Sequence, residues 1–180
     1  YDFSGYVLQA GLSTMVKKSD DSHNKWIQKA REANGKKVLT APYSTYVYSK
    51  SARYPQWFIS LYRSFTNQYG RGVGVIETAK QCKSIFKSII SYEKKNHGNA
   101  ASVYVFNESG DLIYPYDVTA GDANDISKYY KLTDSDKDTL TIQSPITDQK
   151  EYVSRLNSAY TGYTYLTIQP ESVILAPVYK

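Results

Sequence analysis

The spacing of apolar and polar positions changes several times along this chain, and each change marks an element. Residues 57–65 (WFISLYRSF) are rich in aromatic and β-branched side chains, which predicts a strand. Residues 71–77 (RGVGVIE) predict a second, with Gly72 and Gly74 where the backbone needs freedom or close approach. Thr78 and Gln81 then have the spacing of a helix capping box. After them Cys82, Ile85, Phe86, Ile89 and Ile90 recur at helical spacing, with Lys80, Lys83, Lys87 and Lys94 mostly off that stripe. Asn96-His97-Gly98 supplies a stop. Residues 56–94 therefore predict an antiparallel strand pair running into an amphipathic helix.

Before this unit, residues 6–10 and 12–16 read as a strand and its continuation around Gly11, and residues 17–23 as a polar turn. Asp20, Asp21 or Ser22 can cap a helix to about Ala33, striped by Trp26, Ala30 and Ala33 and stopped at Asn34-Gly35. Val38 and Leu39 begin a strand that meets Pro42, residues 43–48 alternate polar and aromatic, and residues 49–55 form a loop carrying Arg53.

Residues 96–101 are small and polar and mark a domain boundary, giving units 1–98 and 99–180. A hairpin follows, with residues 103–106 and 111–114 joined by Asn107-Glu108-Ser109-Gly110. Asp122 or Asn124 can cap a short helix through Tyr130, residues 132–138 form a polar turn, and residues 140–143, 151–156 and 163–169 predict three more strands. Pro170-Glu171 opens a last helix that Pro177 interrupts. The fold class is α+β, with antiparallel sheets flanked by helices.

At 180 residues the chain can bury one good core or two small ones. Its net charge of +5 is spread without a block of like charges, which gives no support to nucleic-acid or membrane-surface binding. The 19 tyrosines fill strands and also suit binding surfaces. Cys82 lies on the apolar stripe and reads as a buried structural thiol. No apolar run spans a membrane, and no secretion signal is evident. The chain begins at Tyr1 without Met, which suggests a piece of something longer.

No catalytic constellation emerges. His23 and His97 sit in polar turns, and no G-x-S-x-G, H-E-x-x-H or Cys/His metal spacing occurs. Gly70, Gly72 and Gly74 lie inside a strand pattern rather than at a helix start. Asp134, Asp136 and Asp138 hint at a calcium loop, but Thr139 and Pro145 stand where its Gly and Glu belong. No cofactor is implied.

The order of short motifs carries a resemblance: Trp26-x3-Ala30, Asn34-Gly35, Pro42-Tyr43, ISLYR at 59–63, GVGVIE at 72–77, VYVFNESGDLIY at 103–114 and the closing GYTYLTIQPESVILAPVYK. It resembles the extracytoplasmic double Cache domain of YesM-type bacterial sensor histidine kinases. The resemblance implies two stacked PAS-like modules, a membrane-distal one (1–98) that binds a small solute and a proximal one (99–180) that passes the signal through the C-terminal helix to a membrane span and a homodimeric kinase. It favours a carbohydrate and implies no enzyme activity in this part. The family's long first helix is not evident.

Amino-acid-binding members of that family carry an Arg two residues before the helix Trp, a Tyr after it, and a strand Tyr followed two residues later by Asp. Trp26 and Tyr43 match, and Glu77 stands near a further acidic position, but Asn24, Ile27 and Thr45 replace the rest. This argues against an α-amino acid. The pocket candidates are Trp26, Tyr43, Tyr46, Tyr48, Arg53, Trp57, Tyr62, Arg63 and Glu77. Aromatic faces would hold a ring or an apolar body, Arg a carboxylate or phosphate, and Glu77 an amine or hydroxyls. Alternation puts Trp57, Ile59, Leu61 and Arg63 on one strand face and Phe58, Ser60 and Tyr62 on the other. A chemoreceptor could carry the same ectodomain. A secreted carbohydrate-binding or adhesion module is the reading from another class.

Overall fold

The computed structural model describes residues 1–2, 6–9, 15–18, 24–46, 55–96, 101–132 and 137–175. The chain forms two compact units, Tyr1–Gln81 and Cys82–Lys180. The division falls at the end of a strand rather than at the small polar stretch near residue 98, so the helix after that strand counts with the second unit.

In the first unit, β1 (Tyr6–Gln9) and β2 (Met15–Lys18) pair antiparallel, Tyr6 opposite Lys18. The second run doubles back on the first instead of continuing it, and it takes in Lys17 and Lys18 from the expected turn. Helix α1 (Asn24–Glu32) follows. Its expected caps at 20–22 lie outside the described residues. It ends where Asn34 and Gly35 take positive φ values of 45° and 81°, the left-handed conformation that suits Asn and Gly.

The main sheet is built on β5 (Pro55–Thr66). One side of β5 pairs with β6 (Gly72–Gln81), from Phe58 opposite Gln81 to Thr66 opposite Gly72. Its other side takes two short strands in succession, β3 (Val38–Leu39) against Tyr62 and Leu61 and β4 (Tyr43–Tyr46) against residues 55–58. Pro42, without an N–H, sits between them. Thr78–Gln81 is therefore strand and not a helix cap: the twelve-residue β5 offers ladder partners as far as Phe58, and cross-strand pairing outweighs the local cap.

The outer edge of β6 is met by the first residues of the chain. Val75 N–H donates to the Tyr1 carbonyl at 2.8 Å, and Asp2 bridges Gly74. Ala30, Tyr62 and Val75 form the buried core, with Tyr1, Trp26, Ile27 and Val38 against it.

The second unit opens with α2 (Cys82–Ile85) and α3 (Lys87–Lys95), interrupted at Phe86. Cys82 and Phe86 are buried while Ile85 is 38% exposed, so the expected stripe is only half realised. Five antiparallel strands follow in the spatial order β8-β7-β11-β10-β9. They are β7 (Ser102–Phe106), β8 (Leu112–Tyr114), β9 (Thr139–Gln143), β10 (Lys150–Asn157) and β11 (Thr164–Pro170). The expected β7–β8 hairpin is present, its turn held by Asn107 Oδ1 accepting from the Ser109 and Asp111 N–H groups.

Helix α4 (Ala120–Leu132) packs on one sheet face. Phe106, Ile126, Tyr129, Val153, Leu166 and Ile168 are buried there. Its cap is Thr119, which accepts from Asp122 N–H at 3.2 Å, rather than Asp122 or Asn124. α3 is tied to β7 and β8 by Glu93, whose carboxylate accepts from Val103 N–H at 3.0 Å and Tyr114 O–H at 2.6 Å. A short α5 (Glu171–Leu175) follows β11 directly. Pro177 and Asp134 to Asp136 lie outside the described residues. Among the described residues no helix is long and apolar enough to cross a membrane.

Candidate functional site

The register between β5 and β6 decides which side chains meet. Tyr62 stands opposite Glu77, Ser60 opposite Ala79 and Ser64 opposite Val75, and across the other edge Tyr43 stands opposite Phe58. Directly paired residues point to the same sheet face. One face therefore carries Tyr43, Phe58, Ser60, Tyr62 and Glu77, and α1 packs its Trp26 on that face. The Trp26 and Tyr62 rings stack with centroids 6.3 Å apart, and the Tyr43 and Phe58 rings lie 6.2 Å apart.

Glu77 is the chemical centre of this face. Ser60 O–H donates to Glu77 Oε1 at 2.8 Å, and Tyr1 O–H to Oε2 at 2.7 Å. Tyr62 also hydrogen-bonds the carboxylate. Burial, first, and then that hydrogen bond push the Tyr62 phenol well above its ordinary range, so it stays a protonated donor. Tyr43 Oη lies 2.7 Å from Ser60 Oγ. Ser60 is 0% and Tyr62 1% exposed, which makes them the floor, while Glu77, Tyr43, Trp26 and Tyr1 are half-buried walls.

Ser60 is fixed from behind as well. Its N–H donates to Thr40 Oγ1 at 3.0 Å, and its carbonyl accepts from Thr40 N–H at 3.0 Å. These bonds bridge the gap between β3 and β4, where Pro42 interrupts the edge. Gly74 makes room for Tyr1: an ideal Cβ there would fall 2.5 Å from the Tyr1 carbonyl oxygen.

Of the sequence candidates, Trp26, Tyr43, Tyr62 and Glu77 come together. Trp57 and Arg63 do not, because odd positions of β5 point to the opposite face. Arg63 is exposed, and its Nε donates to the Gly35 carbonyl at 2.6 Å, tying β5 to the turn after α1. The Tyr46 backbone ends β4 opposite Pro55, but its side chain, with Tyr48 and Arg53, lies outside the described residues. Tyr1 and Ser60 join the site although sequence reasoning left them out. Ser60 was findable as a hydroxyl on the Tyr62 side of the alternation. Tyr1 was not, because its place depends on a pairing with residues 74 and 75.

Trp26 has a second set of neighbours. Lys25 Nζ and Lys29 Nζ lie 5.8 and 4.9 Å from its ring centroid. With Tyr62 stacked on the ring as well, the indole closes the site as a wall.

The second unit holds a related cluster. Tyr129 O–H donates to Glu151 Oε2 at 2.7 Å, and Tyr129 Oη lies 2.8 Å from Ser144 Oγ. Tyr129, Ser144 and Glu151 are all buried, so this cluster is a polar core and not an open surface. Among the described residues no His, Cys, Asp and Glu side chains gather as a metal site.

No protein-family model matches the sequence, and no significant match to a curated protein was found. Solved structures do match. The ligand-binding domain of Mlp24 with asparagine aligns with a TM-score of 0.61 at 16% identity, covering 98% of this chain and 71% of that one. The extracellular domain of the histidine kinase mmHK1S-Z3 aligns at 0.57 and 14% identity, covering 93% and 61%. The ligand-binding domain of the Pseudomonas aeruginosa amino-acid chemoreceptor PctC in complex with GABA aligns at 0.60 and 10% identity, covering 91% and 71%. This chain thus spans between 61% and 71% of the length of these neighbours. At such identities the likeness is one of fold, α+β with antiparallel sheets.

Proposed function

We propose that this chain is the extracytoplasmic sensing part of a bacterial membrane receptor, binding a small solute on the Glu77 face of its first unit. The observation that carries the reading is the Glu77 carboxylate ringed by hydroxyls between half-buried aromatic walls, on a fold whose neighbours are ligand-binding sensor domains. A site of that make-up fixes a ligand's polar groups at one point and excludes water around its body. It is a binding module rather than a catalytic one.

The finer reading is a double Cache domain of the YesM type, its first unit distal and its second proximal to the membrane, on a homodimeric histidine kinase. A chemoreceptor output is the second reading, favoured by the neighbour that is itself a chemoreceptor domain. The ligand is a solute with hydrogen-bond donors, of which the resemblance favours a carbohydrate. Binding would select one packing of α1 on the sheet and shift the population that α5 reports.

A thermal-shift screen against sugars, amines, amino acids and organic acids tests this. A solute at a hundred times its Kd adds about 2.7 kcal/mol to a protein it binds only when folded. A hit is expected that is lost in Trp26→Ala and Glu77→Ala variants of native fold. Unchanged affinity in both variants would remove the proposed pocket.

A further inference from the structure

The evenly spread net charge hides one imbalance. Residues 82–180 carry twelve acids against ten bases, yet residues 82–95, the span of α2 and α3, hold four lysines and one acid. That acid, Glu93, is turned inwards and takes its hydrogen bonds from Val103 and Tyr114. The helical ladder runs on through the interruption at Phe86. Phe86 N–H donates to the Cys82 carbonyl at 2.8 Å, and Ile90 N–H to the Phe86 carbonyl at 3.0 Å. At about 100° per residue, Lys83, Lys87 and Lys94 therefore fall within about 40° of one another, in a stripe about 16 Å long. All three are exposed, as are Lys95, Ser84, Ser88 and Ser91 beside them. Like charges at i, i+4 work against a helix. Elsewhere in the unit lysines are offset, Lys128 by Asp125 and Lys150 by Glu171, but among the described residues no acid pairs with this stripe.

We infer that this stripe is a docking surface for a polymer of phosphodiesters. It goes beyond the solute site of the first unit and does not depend on it. The lysines and serines can all donate to phosphate oxygens, and no carboxylate stands among them to repel one. Lysine ammonium groups are point charges on flexible stems. They suit a chain of repeating phosphates, where Arg suits a two-pronged grip on one group. Each phosphate neutralised releases counterions, so the charges of the stripe act together. A bilayer surface fits less well, because a helix that lies on lipid needs its apolar face for the acyl chains. Here that face is committed to the fold, with Cys82 and Phe86 buried, and the exposed Ile85 and Tyr92 lie on the margin away from the lysines.

The test is calorimetric titration with poly(glycerol phosphate) at a series of salt concentrations. Binding is expected that weakens as salt rises. Substituting Lys83→Gln, Lys87→Gln and Lys94→Gln together is expected to weaken it at least tenfold and to flatten the slope of log affinity against log salt by about 2. Lys128→Gln, Lys131→Gln and Lys150→Gln together remove the same charge from exposed places in the same unit and are expected to cost less than threefold. Should the triple stripe variant not fold, Lys87→Glu alone repeats the test, with an expected loss of threefold or more. Equal losses in the two triple variants would reduce the effect to net charge and overturn the inference. So would a polymer that does not bind the unaltered chain. Tighter binding to vesicles of equimolar phosphatidylglycerol and phosphatidylcholine than to the polymer, lost in the stripe variant, would assign the stripe to a membrane surface and overturn it as well.

Discussion

Gly74 and Tyr1 touch through their backbones. An ideal Cβ on residue 74 would lie 2.5 Å from the Tyr1 carbonyl oxygen and 2.9 Å from the Phe65 ring. The contact sets the first residue of the chain along β6, and from there its hydroxyl reaches Glu77, 2.7 Å away. Gly74→Ala is expected to cost about 1–3 kcal/mol, as overpacking does. It should also weaken whichever solute the screen identifies, because Tyr1 is displaced with its strand. Urea denaturation and titration of that solute together check this. A variant with unchanged stability and affinity would separate Gly74 from the site.

Ser60 is the link between Tyr43 and Glu77, so its loss strands two partners. Ser60→Ala should destabilise the protein by about 1–3 kcal/mol, the range for leaving buried polar groups unpaired. Tyr43→Phe removes the half-buried hydroxyl that bonds Ser60 and should cost about 0.5–1.5 kcal/mol. Urea midpoints of the two variants give the order. The reverse order would contradict the place of Ser60 between its two partners.

The buried cluster of the second unit predicts a different contrast. Glu151 is 6% exposed and accepts from Tyr129 O–H. Tyr129→Phe leaves that carboxylate short of a donor and should cost about 1–3 kcal/mol. Tyr130, whose hydroxyl reaches the Glu108 carbonyl at 3.5 Å in an exposed place, is the control. Tyr130→Phe should change stability by less than about 0.5 kcal/mol, as surface changes do. Thermal unfolding of both variants distinguishes them.

Alkaline pH should unfold this protein through its buried phenols. Burial is the leading cause that raises Tyr62, Tyr114 and Tyr129, and it pushes Tyr163 up to about 12 from 10.0. A phenol with a raised folded pKa binds its proton more tightly in the folded state. Its contribution is whole below the unfolded pKa of 10.0 and is lost as pH rises from there through the folded value. Stability should thus fall steadily above about pH 10, measured by urea midpoints at successive pH values. Cys82, 0% exposed and raised to about 11 by burial, should resist thiol reagents at pH 8 until the protein unfolds.

Glu171 and Lys150 hold the start of α5. Lys150 Nζ lies 2.8 Å from Glu171 Oε1, and the Tyr152 hydroxyl donates to the same oxygen at 3.2 Å. The Lys150 hydrogen bond is the main cause holding the Glu171 carboxyl below its ordinary range. Its part of the stability is present above the unfolded pKa and lost as pH falls through the lowered one. Lys150→Ala should return the Glu171 titration, followed by NMR, towards the ordinary carboxylate value.

The strands were legible because their alternation is strong. Residues 57–65 fall inside β5 and residues 72–77 inside β6, and the turn chemistry of Asn107 to Gly110 marked the β7–β8 hairpin. Local signals failed where pairing at a distance decides. Thr78 and Gln81 have the spacing of a cap, yet β5 is long enough to hold them in the sheet. Alternation separated Trp57 and Arg63 from Ser60 and Tyr62, but only the packing of α1 says which group faces the site. Trp26, Tyr43, Tyr62 and Glu77 could be named from their types. The hydrogen bonds of Ser60 and Tyr1 to Glu77 could not, because they need the register.

The broken border made by β3 and β4 has a consequence for association. β3 offers two residues and β4 four, and Thr40 spans the gap by bonding inwards to Ser60. A strand from another molecule needs a continuous row of outward N–H and C=O groups to zip onto. Among the described residues this border has no such row, and Pro42 contributes no donor to one. Over the described residues, a strand added along that side would meet an interrupted ladder rather than a continuous one.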